Sequence, residues 1–187
     1  MEDTKAALQR LGKYCRDRIR IPLVGITGSV GKTTTREMIA AALSAGYAVY
    51  RTPGNSNSQV GVPITMCSIP KEAGIAVIEL GVSEPGEMEK IARVARVDSA
   101  VVTNIGIAHI EQLGSQQKIL EEKLHIQDGM DPEGILYLNG DDPMLEHVKA
   151  WDGRRTVYYG MSPRCEYRAE NVHLDSGYPV FTAVCGQ

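Results

Sequence analysis

The sequence predicts an α/β fold. A mainly parallel sheet is built around a phosphate-binding loop, with helices on both faces and a small antiparallel β appendage at the C-terminal end. Three observations carry this. The apolar run Leu23-Val24-Gly25-Ile26 reads as a buried strand and passes through Thr27-Gly28-Ser29-Val30-Gly31-Lys32-Thr33-Thr34-Thr35 into a helix. Further strands, apolar throughout, alternate with helical patterns, which calls for a parallel sheet covered on both sides. The last two extended stretches have no helix between them.

In chain order, Thr4 to about Arg18 reads as an amphipathic helix with Leu8, Leu11 and Cys15 on one stripe, ended by Arg20-Ile21-Pro22. After the first strand and the glycine loop, Arg36–Leu43 continues as a helix with Met38, Ile39 and Ala42 on its apolar face. Tyr47–Arg51 is a short strand, Thr52–Gln59 a polar turn-forming loop, and Val60–Ser68 a short helix with Pro63 in its first turn. Ile75–Leu80 is the third strand. Pro85 opens a helix whose Met88, Ile91, Ala92 and Ala95 share a face. Ala100–Ile105 is the fourth strand, followed by a polar loop over Ala108–Gly114 and a helix from Ser115 to about Met130. Ile135–Leu138 is the fifth strand, Pro143–Ala150 a short helix, and Thr156–Tyr159 the sixth strand. Arg164–Leu174 and Tyr178–Val184 form a hairpin through Asp175-Ser176-Gly177, and the chain stops at Cys185-Gly186-Gln187 with no closing element.

At 187 residues the chain fits one domain with a sizeable core. A formal charge of −3 and the lack of a Lys/Arg block argue against nucleic acid or an anionic membrane surface as partner. No apolar run approaches the ~20 residues of a membrane span, and Met1–Lys5 lacks a signal-peptide pattern. Cys15, Cys67, Cys165 and Cys185 are far apart with no C-x-x-C pair, so they read as reduced thiols of a cytoplasmic protein.

The glycine loop is a phosphate cradle. Its amides and the helix dipole favour an anion, Lys32 reaches the outer phosphates, and the Thr33 hydroxyl suits a magnesium ion. The match to G-x-x-x-x-G-K-[ST] is not literal, because Ile26 stands where the pattern has its first glycine. Ligands in an open parallel sheet gather beyond the carboxyl ends of its strands. Glu79, Asn104, His109, Asn139, Asp141 and Asp142 all fall at such ends. Glu79 interrupts an apolar strand. A buried carboxylate needs a partner, and magnesium on a triphosphate is a good one; the alternative is a surface glutamate on an edge strand. Lys123 shares a helical stripe with Ile119, Ile126 and Met130. Either it snorkels to water, or it is desolvated, largely neutral and nucleophilic. In the second case it can take up carbon dioxide to become a carbamate, a carboxylate-like metal ligand.

Four motifs occur in order: Thr27–Thr35 in the glycine loop, Thr52-Pro53-Gly54-Asn55-Ser56-Asn57-Ser58-Gln59-Val60-Gly61-Val62-Pro63, Ile78-Glu79-Leu80-Gly81-Val82-Ser83-Glu84-Pro85-Gly86-Glu87-Met88, and Ala108-His109-Ile110-Glu111-Gln112-Leu113-Gly114-Ser115. Together, from about residue 4 onward, they resemble the Mur ligases. The resemblance implies an ATP-dependent amide ligase of bacterial peptidoglycan synthesis. Its ATP would phosphorylate the carboxylate of a UDP-muramoyl tripeptide, and the amine of D-alanyl-D-alanine would attack the acyl phosphate. Residues 1–20 would be a linker helix and 21–187 the central ATP-binding domain, its C-terminal end cut short. The family's N- and C-terminal domains would be the missing partners on the same polypeptide.

Carried over by motif, Thr27, Gly28, Ser29, Val30, Gly31, Lys32, Thr33 and Thr34 hold the ATP phosphates and Asn139 touches adenine. Thr33 and Glu79 hold one magnesium. His109 and Lys123, the latter as its carbamate, serve a second; Lys32, Glu79, His109 and Lys123 form the catalytic set. Asn55 and Asn57 face the muramoyl peptide. The chain departs from the family at Leu124-His125, where a small residue and an acid commonly follow the lysine. Other readings are a different ligase of the family, for another muramoyl peptide or of the folylpolyglutamate type, a P-loop small-molecule kinase, or a P-loop regulatory module. The kinase has no use for the Asn-Ser-Asn loop, and the regulator has no need of Glu79, His109 and Lys123 together.

Overall fold

A computed structural model describes residues 3–186. Eight strands form one sheet: β1 (Leu23–Thr27), β2 (Val49–Arg51), β3 (Ile75–Glu79), β4 (Ser99–Val102), β5 (Ile135–Asn139), β6 (Arg155–Gly160), β7 (Tyr167–Asp175) and β8 (Tyr178–Cys185). Their order is β2-β3-β1-β4-β5-β6-β7-β8, parallel from β2 to β7 with β8 antiparallel. From β1 the chain crosses over to β2 and β3 on one side, then to β4 on the other. The crevice above the end of β1 is therefore the switch point at which such sheets take ligands.

The helices are α1 (Thr4–Arg16), α2 (Lys32–Leu43), α3 (Gly61–Ser68), α4 (Glu87–Ala95), α5 (Ile110–Leu113) and α6 (Gln116–Leu124). Strand alternation divides the core. Leu23, Ala76, Ile78, Ala100, Val102, Leu136 and Leu138 point to the face packed by α3, α4 and α6. Ile26, Val77 and Val101 point to the other face, where α2 packs with Ala40, Ile39 and Leu43. Helices thus lie on both faces, as the sequence predicts, but very unevenly.

The first helix, read as a linker, is docked onto α3 and α4. Gly12 is its buried residue, and a Cβ there would lie 2.7 Å from the Pro63 Cα. Leu11, expected on the packed stripe, is 51% exposed, because the stripe centres on this glycine crossing. Asp3 caps the helix by accepting from the Ala6 amide at 3.0 Å. At the other end, Arg16 donates to the carbonyls of Ala95 and Arg96 at 2.7 Å each, satisfying the C-terminus of α4.

Three further expectations are corrected. Met38 and Ala42 are exposed, since the face of α2 that meets the sheet runs through Arg36, Ile39, Ala40 and Leu43. The Ser115–Met130 helix ends at Leu124 and tightens into one 3-10 turn over His125–Gln127, although Ile119, Lys123, Ile126 and Met130 are all buried as the stripe requires. Pro143–Ala150 forms turns, not a helix. Asp142 there spends its carboxylate on the amides of Met144 and Ile105, which competes with helical bonding. The antiparallel C-terminal hairpin is present as the sequence predicts. Tyr167 and Arg168 pair with Tyr159 and Gly160, so β7 and β8 extend the main sheet. The hairpin turns at Ser176 and Gly177, both with positive φ, the conformation that two-residue hairpins favour.

Candidate active site

The glycine loop leaves the end of β1 and is braced by the residues that follow β4. The Asn104 side chain accepts from the Val30 amide and donates to the Val30 carbonyl, both at 3.0 Å. Thr103 Oγ1 donates to the same carbonyl at 2.7 Å, and Ser29 Oγ accepts from the Gly106 amide at 2.9 Å. Gly28 admits no side chain: at φ 149, a Cβ would lie 1.9 Å from Thr103 Oγ1. Gly31, at φ 79, turns the chain into α2, whose N-terminus has no side-chain cap. Its leading amides are therefore left for an anion. Lys32 Nζ curls back to the Gly28 carbonyl at 3.0 Å, and Thr34 is exposed beside it. Thr27, by contrast, is buried with its hydroxyl unpaired, so only its backbone borders the loop.

Glu79 ends β3, the neighbour of β1, and is 2% exposed. The edge-strand alternative is excluded, because β3 lies between β2 and β1. Its Oε2 accepts from Thr33 Oγ1 at 3.0 Å and from an Arg36 nitrogen at 3.1 Å; its Oε1 accepts from Asn57 Nδ2 at 2.8 Å. Its backbone amide donates to Thr52 Oγ1 at 2.9 Å. Thr33 and Glu79, far apart in sequence, thus meet beside the cradle. Two hard oxygen donors beside a glycine loop with free helix-N-terminal amides suit magnesium, which takes few protein ligands. Asn55 is exposed on the same loop, while Asn57 turns its amide inward.

Lys123 is 2% exposed, and burial, then the nearby Lys32 charge, pushes its pKa down to about 8, with Glu122 opposing. Snorkelling is excluded by that burial. Glu122 beside it caps α4, accepting from the Gly86 and Met88 amides at 2.8 Å each. His125 turns away to Asp128 at 3.1 Å and packs edge-on against Trp151. His109 is exposed at φ 63, a backbone region rare for a non-glycine residue and a recurrent mark of functional sites. Among the described residues no group of three His, Cys, Asp or Glu side chains is assembled to hold a metal. Asn139 is half-buried. It donates to the Thr103 carbonyl at 2.9 Å and accepts from the Asp141 amide at 3.0 Å. Asp141 accepts from the Met161 and Ser162 amides, so both aspartates after β5 shape turns.

Sequence reasoning missed Arg36, whose charge hid it within an apolar helix face. It also left Asn104 without a role, although its place directly after a strand and opposite the glycine loop was the available signal.

A family profile described as the Mur ligase middle domain matches residues 26–184. The UDP-N-acetylmuramoyl-tripeptide–D-alanyl-D-alanine ligase of Bacillus subtilis is 40% identical over 172 residues, covering 92% of this chain and 37% of that protein. The Escherichia coli ligase of the same name is 34% identical over 186 residues, covering 97% of this chain and 41% of its own length. Among solved structures, MurF from Acinetobacter baumannii superposes with a TM-score of 0.91 at 29% identity, over 98% of this chain and 40% of that one. MurF ligase from Thermotoga maritima in complex with ADP gives 0.89 at 29% identity, over 99% and 43%. The chain thus spans about two fifths of the length of these relatives.

The buried lysine has a pH signature. Its pKa lies near 8 in the folded protein against an ordinary 10.5. Below about pH 8 both folded and unfolded states carry the proton, and the folded state bears the whole desolvation cost. Between 8 and 10.5 the unfolded chain holds more protons, so stability rises with pH. Lys123→Met should therefore be more stable than wild type at pH 7, by on the order of 2–3 kcal/mol. In carbon-dioxide-free buffer that gap should narrow as pH climbs through this window. Urea melts at several pH values measure it, and a gap independent of pH would contradict the burial argument.

Proposed function

Because the chain belongs to the Mur ligase family, matching its middle domain, we propose that it is the nucleotide-binding part of an ATP-dependent ligase joining D-alanyl-D-alanine to UDP-N-acetylmuramoyl tripeptide. The observation that carries the reading is the meeting of Thr33 Oγ1 and Glu79 at 3.0 Å beside the uncapped N-terminus of α2. Phosphoryl transfer asks a protein mainly for positioning and charge stabilisation. The amides of residues 28–34 grip the phosphates, and Lys32 leaves the Gly28 carbonyl to neutralise the outer ones. Thr33 and Glu79 would hold magnesium, which would supply charge neutralisation for phosphoryl transfer to the substrate carboxylate. The amine of D-alanyl-D-alanine then displaces phosphate from the acyl phosphate and forms the amide.

Asn139 borders the adenine, held by its bonds to Thr103 and Asp141. Asn55 faces the muramoyl peptide, and Asn57 serves it from behind through Glu79. In this reading Lys123 would carry a carbamate that, with His109, would hold a second magnesium. Burial and a neighbouring cation favour the neutral amine that carbon dioxide requires. The conversion also replaces a cation beside Lys32 with an anion.

Two measurements test this. ATP with magnesium should raise the melting temperature, since a ligand that binds only the folded state stabilises it by mass action. Lys32→Ala should remove the shift by deleting a charge-assisted phosphate contact, and an undiminished shift in that variant would refute the phosphate assignment. With ¹³C-bicarbonate at alkaline pH, NMR should show a carbamate carbon that is absent from Lys123→Ala. Its absence from wild type under those conditions would refute the modification. The chain alone is expected to bind nucleotide without forming amide, because ligation requires both reactants held in register and its relatives are far longer.

A further inference from the structure

Arg36 has no part in the chemistry above, yet it is 4% exposed and surrounded by the site. It lies one turn after Thr33 on α2. A single guanidinium nitrogen donates to Glu79 Oε2 at 3.1 Å and to the Gly54 carbonyl at 2.8 Å. The other side of the fork holds Glu37 at 3.0 and 2.7 Å, and Glu37 in turn pairs with Arg51 at 2.9 Å. The polar loop that follows β2 is thus fastened to Glu79 at three points. Thr52 Oγ1 accepts from the Glu79 amide, Gly54 is held through Arg36, and Asn57 donates to Oε1. The middle fastening carries a full charge, and it acts on the carboxylate oxygen that also meets Thr33.

We propose that Arg36 is a positioning residue that couples the metal carboxylate to the substrate-facing loop. Through it, the conformation of residues 52–57 and the readiness of Glu79 to receive a cation change together. Without a metal, Arg36 compensates the buried carboxylate and fixes its rotamer toward Thr33. The same guanidinium keeps the Gly54 carbonyl, and with it exposed Asn55, in place. A lysine would keep the charge but not the fork that is locked by Glu37. The inference rests on the reading of Thr33 and Glu79 as magnesium ligands.

Hydrogen exchange on the nucleotide-free protein, followed by calorimetric titration of magnesium in the presence of ATP, tests it in wild type, Arg36→Met and Arg36→Lys. Arg36→Met should speed exchange of the 52–57 amides while those of β1 and β4 keep their rates, which shows that the fold is intact. Its half-saturating magnesium concentration should rise about tenfold, the scale of one lost charge-assisted hydrogen bond. Arg36→Lys should fall between on both readouts, and it decides the matter if the methionine variant does not fold. Faster loop exchange with unchanged magnesium dependence, or the reverse, would overturn the coupling. If wild type itself takes up no ATP with magnesium, the metal reading fails and the inference falls with it. If wild type binds and the variants match it, only the inference fails.

Discussion

A carboxylate buried in the middle of a parallel sheet constrains everything around it. Glu79 sits where its strand neighbours are Ile78 and Leu80, and water does not reach it. A polar group buried there without partners would destabilise the fold. Instead Thr33, Arg36 and Asn57 converge on its two oxygens, from α2 and from the loop after β2. Removing one partner from a buried ion pair of this kind costs about 3–5 kcal/mol. The placement of α2 against β3, and hence the aim of the glycine loop, is therefore tied to the solvation of one side chain.

Lys123 is the opposite case. Glu79 is surrounded by donors, whereas Lys123 is equally buried, and burial and the charge of Lys32 disfavour its protonated form. The first group is held by hydrogen bonds and an ion pair; burial pushes the second toward its neutral form. Both stand near the carboxyl end of the sheet at its switch point, where the loops after β1, β3 and β4 converge. The brace from Asn104 and Thr103 to Val30 stiffens the glycine loop between them.

The sheet was legible because its strands are short apolar runs bounded by turn residues, and the glycine loop because its glycines have a backbone reason. The stripe holding Lys123 was legible as well, since helical periodicity does not depend on where the helix ends. Three things were hidden. Arg36 belongs to the buried face of α2 because of an ion pair across 43 positions, which no local pattern records. Gly12 replaces Leu11 at the centre of the α1 contact because helices cross closely where a side chain is missing. The stretch after Pro143 keeps turns because Asp142 caps two amides, one of them from the distant loop after β4. In each case a long-range polar or steric partner overrode the local preference.

The proposed metal site joins Thr33 and Glu79 beside the glycine loop. Crystals grown with manganese and a non-hydrolysable ATP analogue, with data collected at the manganese edge, test it most directly. An anomalous peak is expected between Thr33 Oγ1 and the Glu79 carboxylate, with the nucleotide phosphates wrapped by residues 28–34. Nucleotide phosphates bound away from that loop, or a manganese peak with no contact to Glu79, would contradict it.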